Sequence, residues 1–422
     1  MAAGARVSVR PVLMVKDVVC RPNAAPSSRL ECVDVLRGIV MALMALDHTR
    51  DYFTNLSFAP EDLSLTTGPL FFTRFVTHFC APVFFLLAGV GGYLSLCQGK
   101  SIAQVSRFFW TRGLWLVFLD LTVMSYAWTY TFPFWLAGVL WALGWSMVAM
   151  AFLIRLPLRW VATVGALMIA THNLFDWVDP AALQKFGGLW VILHGHGVIW
   201  IEPSKIPFFV LFSLIPWVGI MALGYALGDL LRRDGWEKPV WRIGLALTIA
   251  FLLLRGFHLY GNGHKYMQTW APDAAGRWKM RATLTLTVIS FLDTLKYPAS
   301  LQFLLMTLGP SLMALAWLGR IKAPSGVARI FLVFGRVPLF YYIVHIYFIH
   351  TLAVYTALAF HQPAAWLLYG GPMLHLRPQH YGHGLPFIYA MCLLTVALLY
   401  FPCRWFMKLK QQRRDLWWLR YL

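Results

Sequence analysis

An arginine and a histidine lie inside one apolar stretch, residues 33–53 (VDVLRGIVMALMALDHTRDYF), which also carries Asp34, Asp47, Arg50 and Asp51. Ionisable groups in a membrane-spanning helix cost about 3 kcal/mol each unless they face protein or a polar cavity, so they are candidates for function. Arg37 and His48 are eleven residues apart, which is about three turns of an α-helix and roughly 16 Å along its axis. A cation and an imidazole on one face predict a site for a long ligand with a charged head and a reactive far end.

The chemistry that these residue types suggest is acyl transfer with His48 as the general base, because imidazole titrates near neutral pH. The adjacent Asp47 lies about 100° away around the helix, so it is expected to face another helix rather than bond that imidazole. On a continuous helix Arg336 and His345 would be about 180° out of phase, so the same pairing is not expected there. The alternative is that Arg37 only anchors the helix and His48 bonds to a neighbouring helix.

Two further sets of ionisable residues fit such a reaction. Four arginines lie near the predicted cytoplasmic ends of apolar segments: Arg37, Arg107, Arg112 and Arg336. They are candidates for holding phosphate groups, because a guanidinium group binds phosphate through two parallel hydrogen bonds. The candidate catalytic residues lie further along the segments: Asp47, His48, His78, Asp120 and His345. The alternative for the arginines is ordinary anchoring at the membrane surface, and for the second set it is structural pairing.

The composition places the whole chain in a membrane. Of 422 residues, 59% are hydrophobic and only 13% are charged, whereas soluble domains are about 25% charged. The net charge of +19 comes from basic residues scattered in short loops between apolar segments. This pattern sets membrane orientation and does not form a groove for nucleic acid.

Ten apolar segments must position the candidate arginines, histidines and aspartates. They lie near residues 33–53, 72–95, 108–128, 132–154, 159–175, 206–231, 240–259, 299–319, 330–357 and 387–407. The fold class is therefore predicted to be all-α, a polytopic helical bundle of about ten transmembrane helices. Residues 283–295 are apolar enough for an interfacial or re-entrant helix, or for an eleventh span.

The loops between the segments alternate in Lys and Arg content, which predicts that both termini are cytoplasmic. Loops 54–71, 176–205 and 358–386 are then outside. The predicted organisation is a disordered basic cytoplasmic tail over residues 1–31, a transmembrane domain over 32–408 and a basic cytoplasmic tail over 409–422.

Two motifs add a family resemblance. Arg37-Gly38 with ten residues between Arg37 and His48, followed by HFCAPVFFLLAG at 78–89, resembles the heparan-alpha-glucosaminide N-acetyltransferase-like family. The segment FGRVPLFYYIVH at 334–345 is similar to a late segment of that family. More distantly, the chain resembles the membrane acyltransferases that decorate bacterial surface polysaccharides. The match covers roughly residues 30–115, and elsewhere only the hydropathy is similar.

The resemblance implies ten or eleven spans in a bacterial inner (plasma) membrane, acetyl-CoA entering from the cytoplasm, and acetyl transfer to a glycan or amino sugar on the other side. The arginine set would then hold the phosphates of CoA, with His48 as general base or acyl relay. Two positions depart from the relatives. The animal enzymes have asparagine where this chain has His48, and many polysaccharide acyltransferases have Ser-Gly where it has Ala88-Gly89.

Other functions remain open at this point. A secondary transporter or flippase for a small polar or glycan-linked substrate would also bury charges, although the sequence shows no internal repeat. Histidines in the outer loops, in HGH at 194–196 and between residues 374 and 384, lack the HExxH spacing or a cysteine partner, so no metal is predicted. These loops are expected to form the mouth for the acceptor. A homodimer is also left open.

Overall fold

A computed structural model gives the fold and describes residues 30–203, 205–263, 277–321, 325–374, 377–413 and 415–422. Residues 1–29 of the predicted N-terminal tail and His375 of the predicted outer loop 358–386 lie outside the described residues. The protein is mostly helical, with 71% helix and little strand. The prediction of a helical protein is therefore confirmed.

The described helices follow the predicted apolar segments closely. In chain order they are α1 (Glu31–Phe53), α2 (Gly68–Phe75), α3 (Cys80–Leu96), α4 (Ile102–Leu119), α5 (Ser125–Thr129), α6 (Val139–Leu153), α7 (Leu158–Thr171), α8 (Gly187–Leu193), α9 (Leu214–Leu230), α10 (Glu237–Gly256), α11 (Leu284–Leu292), α12 (Leu301–Gly319), α13 (Val327–Arg336), α14 (Pro338–Ala359), α15 (Ala365–Leu368), α16 (Gly371–Leu374) and α17 (Leu385–Gln412). Short 3-10 turns occur at Val76–Phe79, His172–Phe175, Pro180–Phe186 and Trp417–Arg420, and a π-helical turn at Asp120–Met124.

Five of the described helices are long and apolar enough to cross a membrane: Gly68–Leu96, Glu237–Gly256, Leu301–Gly319, Pro338–Ala359 and Leu385–Gln412. A sixth is added if Leu158–Phe175 and Pro180–Leu193, which meet at 115°, form one bent span. These helices make the chain an integral membrane protein. The number of ten spans stays a prediction, because helices such as α6 and α9, at 15 and 17 residues, are shorter than the roughly 20 residues that span a bilayer.

The predicted segment 330–357 is broken into two helices. Val337, between α13 and α14, has φ −132° and ψ 49° and so leaves the helical region. Pro338 causes the break, because it disfavours helical geometry in the residue before it and lacks an N–H, while it suits the first position of a new helix. Arg336 and His345 therefore do not share one continuous helix, and their phase cannot be read from their spacing.

A small three-stranded sheet replaces helix at the start of two other predicted segments. Its strands are β1 (Trp135–Ala137), β2 (Gly197–Ile201) and β3 (Ile206–Val210), in the order β1-β3-β2. β1 runs parallel to β3, with Trp135 opposite Phe208, and β2 runs antiparallel to β3, with Gly197 opposite Val210. Aromatic and β-branched residues favour these strands.

Helix α1 is packed on several sides, against α3, α12, α13, α14 and α17. Its crossing with α13 depends on two glycines. A Cβ at Gly38 would overlap the carbonyl oxygen of Phe331, and a Cβ at Gly335 would overlap that of Asp34. Small residues allow such close backbone approach, which drives helix association in membranes. The crossing places Arg37 and Arg336, the neighbours of these glycines, close together.

We expect Gly38→Ala to destabilise the protein, because the added methyl group meets backbone that cannot rotate away. Overpacking of this kind costs about 1–3 kcal/mol. The matched control is Gly91→Ala in α3, where an added Cβ meets nothing within 4 Å; alanine there should be neutral or stabilising by helix propensity. Thermal unfolding in detergent compares the two, and equal midpoints would show that the crossing tolerates a side chain.

Candidate active site

Two cavities lie along α1, one around Arg37 and the other around His48. The inner cavity, of about 610 Å³, is lined by Arg37 of α1, Arg112 of α4 and Arg336 of α13. The outer cavity, of about 440 Å³, is lined by Asp47, His48 and His78, among others. The two cavities share three lining residues: Phe84, Val139 and Tyr342. The two cavities are therefore adjacent, with these three side chains at their common boundary.

The inner cavity collects positive charge among apolar walls. Arg37 Nη1 donates to Asp34 Oδ1 at 3.0 Å and to the carbonyl oxygen of Gly335 at 3.1 Å. Arg336 Nη2 donates to Glu31 Oε1 at 2.8 Å, and the guanidinium of Arg112 lies 5.9 Å from the ring centroid of Phe108. These contacts hold the guanidinium groups at the cavity wall. The cavity is also lined by Lys410 of α17 and by Leu422.

Arg107 is the one predicted phosphate-binding arginine that this cavity does not include. Its side chain is exposed, and it is not among the described residues that line either cavity. It lies on α4 five residues before Arg112, and five residues are about 1.4 turns. The two side chains therefore point to different sides of the helix.

Helix α1 also supplies the outer cavity with a histidine that is bonded to a second histidine. His48 Nδ1 lies 2.7 Å from His345 Nε2, and His345 Nδ1 lies 3.0 Å from the carbonyl oxygen of Tyr341. His345 is fully buried, whereas His48 lines the cavity. The Trp128 ring is nearly perpendicular to the His48 ring, at an interplanar angle of 80° and a centroid distance of 4.8 Å. The sequence placed these two histidines in the same candidate set without predicting that they touch.

The carbonyl oxygen decides the tautomers of this pair. A carbonyl only accepts, so Nδ1 of a neutral His345 must carry the proton and its Nε2 must be the acceptor. His48 then donates from Nδ1 to His345, which leaves His48 Nε2 with a free lone pair. A histidine in this state can take a proton from a group in the cavity, as a general base must.

Asp47 is held by arginines rather than by His48. Both of its carboxylate oxygens accept from Arg74 Nη1 at 2.7 Å, and Arg50 Nη2 lies 2.9 Å from Asp47 Oδ1. Arg74 Nε donates in turn to Glu61 Oε1 at 2.7 Å. Asp47 thus faces another helix, α2, as its angular position on α1 indicates. Through Arg74 it joins α1, α2 and the loop between these two helices.

Burial by itself would raise the pKa of Glu61, but the Arg74 guanidinium and His78 hold that pKa well below its usual value. His78 Nε2 lies 3.8 Å from Glu61 Oε1, too far for a hydrogen bond. Neither ring nitrogen of His78 has a hydrogen-bond partner among the described residues, so this imidazole is available to a ligand in the outer cavity.

Asp120 lies outside both sets of described cavity-lining residues. Its Oδ2 accepts from the backbone N–H of Trp141 at 2.7 Å, in the first turn of α6. A carboxylate at this position satisfies an unpaired N–H and complements the helix dipole. Asp120 therefore caps the helix whose first residue, Val139, lies where the two cavities meet.

Sequence reasoning missed Arg74, Glu61 and Lys296, all of which line the outer cavity. For Arg74 a signal existed, since it is an arginine at the edge of an apolar segment, four residues before His78. Glu61 and Lys296 lie in polar loops, where a charged residue carries no such signal.

Comparison with known proteins gives one family. The family model described as "Heparan-alpha-glucosaminide N-acetyltransferase, catalytic" matches residues 29–259, more than half of the chain. The matched region contains Arg37, His48, His78 and Arg112, while Arg336 and His345 lie beyond it. A search of curated protein sequences gave no match.

We expect Arg74→Met to destabilise the protein strongly, because it leaves Glu61 buried without its cation. Removing one partner of a buried ion pair costs about 3–5 kcal/mol. The control is Arg233→Met, which breaks an exposed pair with Asp229 and should cost about 0–1 kcal/mol. Unfolding midpoints in detergent at neutral pH measure both.

The low pKa of Glu61 adds a pH dependence to this comparison. Its carboxylate stabilises the fold above its ordinary pKa, and that contribution is lost as the pH falls towards the lower folded-state value. The difference between wild type and Arg74→Met should therefore shrink at acidic pH. Equal losses for the Arg74 and Arg233 variants would mean that the buried network carries no special stability.

Proposed function

The chain belongs to the heparan-alpha-glucosaminide N-acetyltransferase catalytic family, and on this premise we propose a specific transfer reaction. In this proposal, the protein moves an acetyl group from cytoplasmic acetyl-CoA to a sugar or amino-sugar acceptor on the opposite side of the membrane. The observation that supports it best is the pair of cavities that meet at Phe84, Val139 and Tyr342. A donor in one cavity and an acceptor in the other would meet there.

The inner cavity is proposed to bind CoA. Arg37, Arg112 and Arg336 come from three helices, and guanidinium forks match the geometry of phosphate oxygens. The apolar side chains between them, such as Leu87 and Phe109, would pack against the uncharged pantetheine arm. On this arrangement the thioester points towards Tyr342 and the outer cavity. Arg107, at the exposed surface, would reach only a part of the nucleotide that extends out of the cavity.

In the proposed reaction His48 Nε2 takes the proton from the acceptor hydroxyl or amine as this group attacks the thioester carbonyl. The new bond from carbon to oxygen or nitrogen forms, the bond from carbon to sulfur breaks, and the proton passes from His48 to the CoA thiolate. His345 would keep His48 in the required tautomer and share the charge of the transient imidazolium. The free His78 imidazole and the Asp47–Arg74 pair would orient the acceptor, and Asp120 would position the helix at the junction.

The ten-helix arrangement with both termini cytoplasmic belongs to this proposal, since it puts Arg37 on the side where acetyl-CoA is found. Transport remains the competing function. Incubation of the purified protein with acetyl-CoA and glucosamine-type acceptors separates the two, because only acetyl transfer consumes acetyl-CoA and releases free CoA. Release of CoA that depends on the acceptor supports transfer, and its absence with all acceptors would favour transport.

We expect alanine at Arg37, Arg112 or Arg336 to weaken CoA binding by about 1.5–3 kcal/mol each, the range for hydrogen bonds to charged groups. This corresponds to roughly a 10- to 150-fold increase in Kd. Arg107→Ala should have a smaller effect. The control is Arg159→Ala, an exposed arginine on α7. Calorimetric titration with CoA measures all five, and unchanged affinity in the first three would make them membrane anchors only.

We expect His48→Ala to lower the transfer rate by about 10²- to 10⁴-fold, the usual contribution of a general base, while CoA binding stays nearly intact. Wild-type activity should fall at acidic pH, because a base must be neutral to accept a proton. Arg159→Ala, at an exposed position on α7, is the control and should keep full activity. The rate of CoA release at saturating substrates gives the comparison.

His48→Asn and His345→Gln refine this test. Asparagine cannot act as a base, so near wild-type rates in His48→Asn would mean that His48 only orients a reactant. The base would then have to be sought at His78, His345 or an acidic residue. His345→Gln keeps an acceptor near His48 and should lose less activity than His345→Leu, which leaves the His48 N–H unpaired.

A further inference from the structure

A second cluster of histidines lies away from both cavities, in the connection between α7 and α9. His172 begins the 3-10 turn after α7, Asp176 directly follows that turn, and His194 directly follows α8. All three are buried, with exposures of 1%, 3% and 0%. One ligand atom from each lies within 4.8 Å of the others. We propose that His172, Asp176 and His194 bind one divalent transition-metal cation, with Zn²⁺ as the best fit.

The donor set and its dimensions suit zinc. Two imidazoles and a carboxylate are typical protein ligands of Zn²⁺, and bonds of about 2.0–2.2 Å in tetrahedral geometry put ligand atoms roughly 3.3 Å apart. His194 Nε2 lies 2.9 Å from Asp176 Oδ1, which is already near that value. The widest separation in the group has to close by roughly 1.5 Å, a movement that side-chain rotation provides. A water molecule would complete the fourth position.

The imidazole of His172 is buried but has no hydrogen-bond partner in the described part of the protein. Neither of its ring nitrogens, nor Nδ1 of His194, has a hydrogen-bond partner among the described residues. The two rings lie 5.6 Å apart in an edge-on arrangement. A buried polar group without a partner costs about 1–3 kcal/mol, so a hydrogen-bonded His194–Asp176 pair alone would leave His172 unexplained. A cation between them gives the His172 lone pair a partner.

The surroundings of the carboxylate resemble the outer shell of a metal site. Asn173 Nδ2 donates to Asp176 Oδ2 at 2.8 Å, which fixes the orientation of the carboxylate and leaves Oδ1 directed at His194. Asn173 Oδ1 accepts in turn from the backbone N–H of Leu301 at 2.8 Å, the first residue of α12. Such outer contacts orient ligands and tune affinity. A bound cation would tie the ends of α7 and α8 to α12.

The sequence did not predict this site because its ligands are separated along the chain. Within the HGH motif at 194–196 the second histidine, His196, is not one of the ligands. The partners of His194 come from residues 172 and 176, and they are brought to it by the sharp bend between α7 and α8.

The test uses the full-length protein in detergent, stripped with a chelator and dialysed. Zn²⁺ is titrated in competition with a chromophoric chelator, and Co²⁺ is added separately as a spectroscopic probe. We expect one tight Zn²⁺ per chain and the visible absorption of four-coordinate Co²⁺. His172→Ala and Asp176→Asn should weaken Zn²⁺ binding by more than about 100-fold, and Asn173→Ala by about 10- to 100-fold.

The matched control is His196→Ala, which removes a neighbouring histidine and should leave Zn²⁺ binding unchanged. His172→Ala deletes a side chain with no hydrogen bond in the described structure, so gel filtration should show a folded protein. If wild type binds Zn²⁺ no better than His172→Ala, or the His196 variant loses binding equally, the proposal is overturned. The Zn²⁺ titration of the wild-type protein tests the proposed site even where a variant fails to fold. Its result does not depend on whether the protein transfers acetyl groups.

Discussion

Helix α1 carries ionisable side chains through an apolar bundle. In such an apolar environment each ionisable side chain has to be paired or has to face a cavity. Asp34 pairs with Arg37 on the same helix. Asp47 pairs with Arg50 and with Arg74. These partners come from within α1 and from α2, so the helix can be placed in the bundle only where its neighbours supply them. The packing of α1 is therefore a condition for the rest of the structure.

Close packing and charge placement are coupled in this chain. At the α1–α13 crossing, Gly38 and Gly335 let the two backbones meet, and the adjacent Arg37 and Arg336 then line the same cavity. The same dipeptide pattern occurs in α4, where Arg112 precedes Gly113, and a Cβ at Gly113 would meet α6 backbone at 2.6 Å. A glycine at a crossing holds the helix in a fixed rotation, so its neighbour projects to a defined side.

The two cavities differ in their electrostatic character. The inner one is lined by the basic side chains of Arg37, Arg112, Arg336 and Lys410 and, among the described residues, by no acidic side chain, which suits an anionic ligand. The outer one is lined by equal numbers of acidic and basic side chains, namely Asp47, Asp51, Glu61 and Asp293 against Arg50, Arg74, Lys296 and Arg377. The imidazoles of His48 and His78 also line it. Apolar and aromatic residues stand where the cavities meet. The two cavities therefore differ in charge, and they lie around opposite ends of α1, near Arg37 and near His48.

The sequence by itself determined the class of the protein, the helical segments and the common face of Arg37 and His48, because hydropathy and helical period are local properties. It also indicated that Asp47 points away from His48, since adjacent residues diverge by about 100°. Only the tertiary structure joined His48 to His345, which are 297 residues apart, or brought Arg74 to Asp47 and excluded Arg107 from the cavity. The break at Val337 is a local effect of Pro338. The strands β1 to β3 and the contacts between helices instead depend on which elements pack together and at what rotation, and side chains distant in the chain carry no sequence signal of that choice.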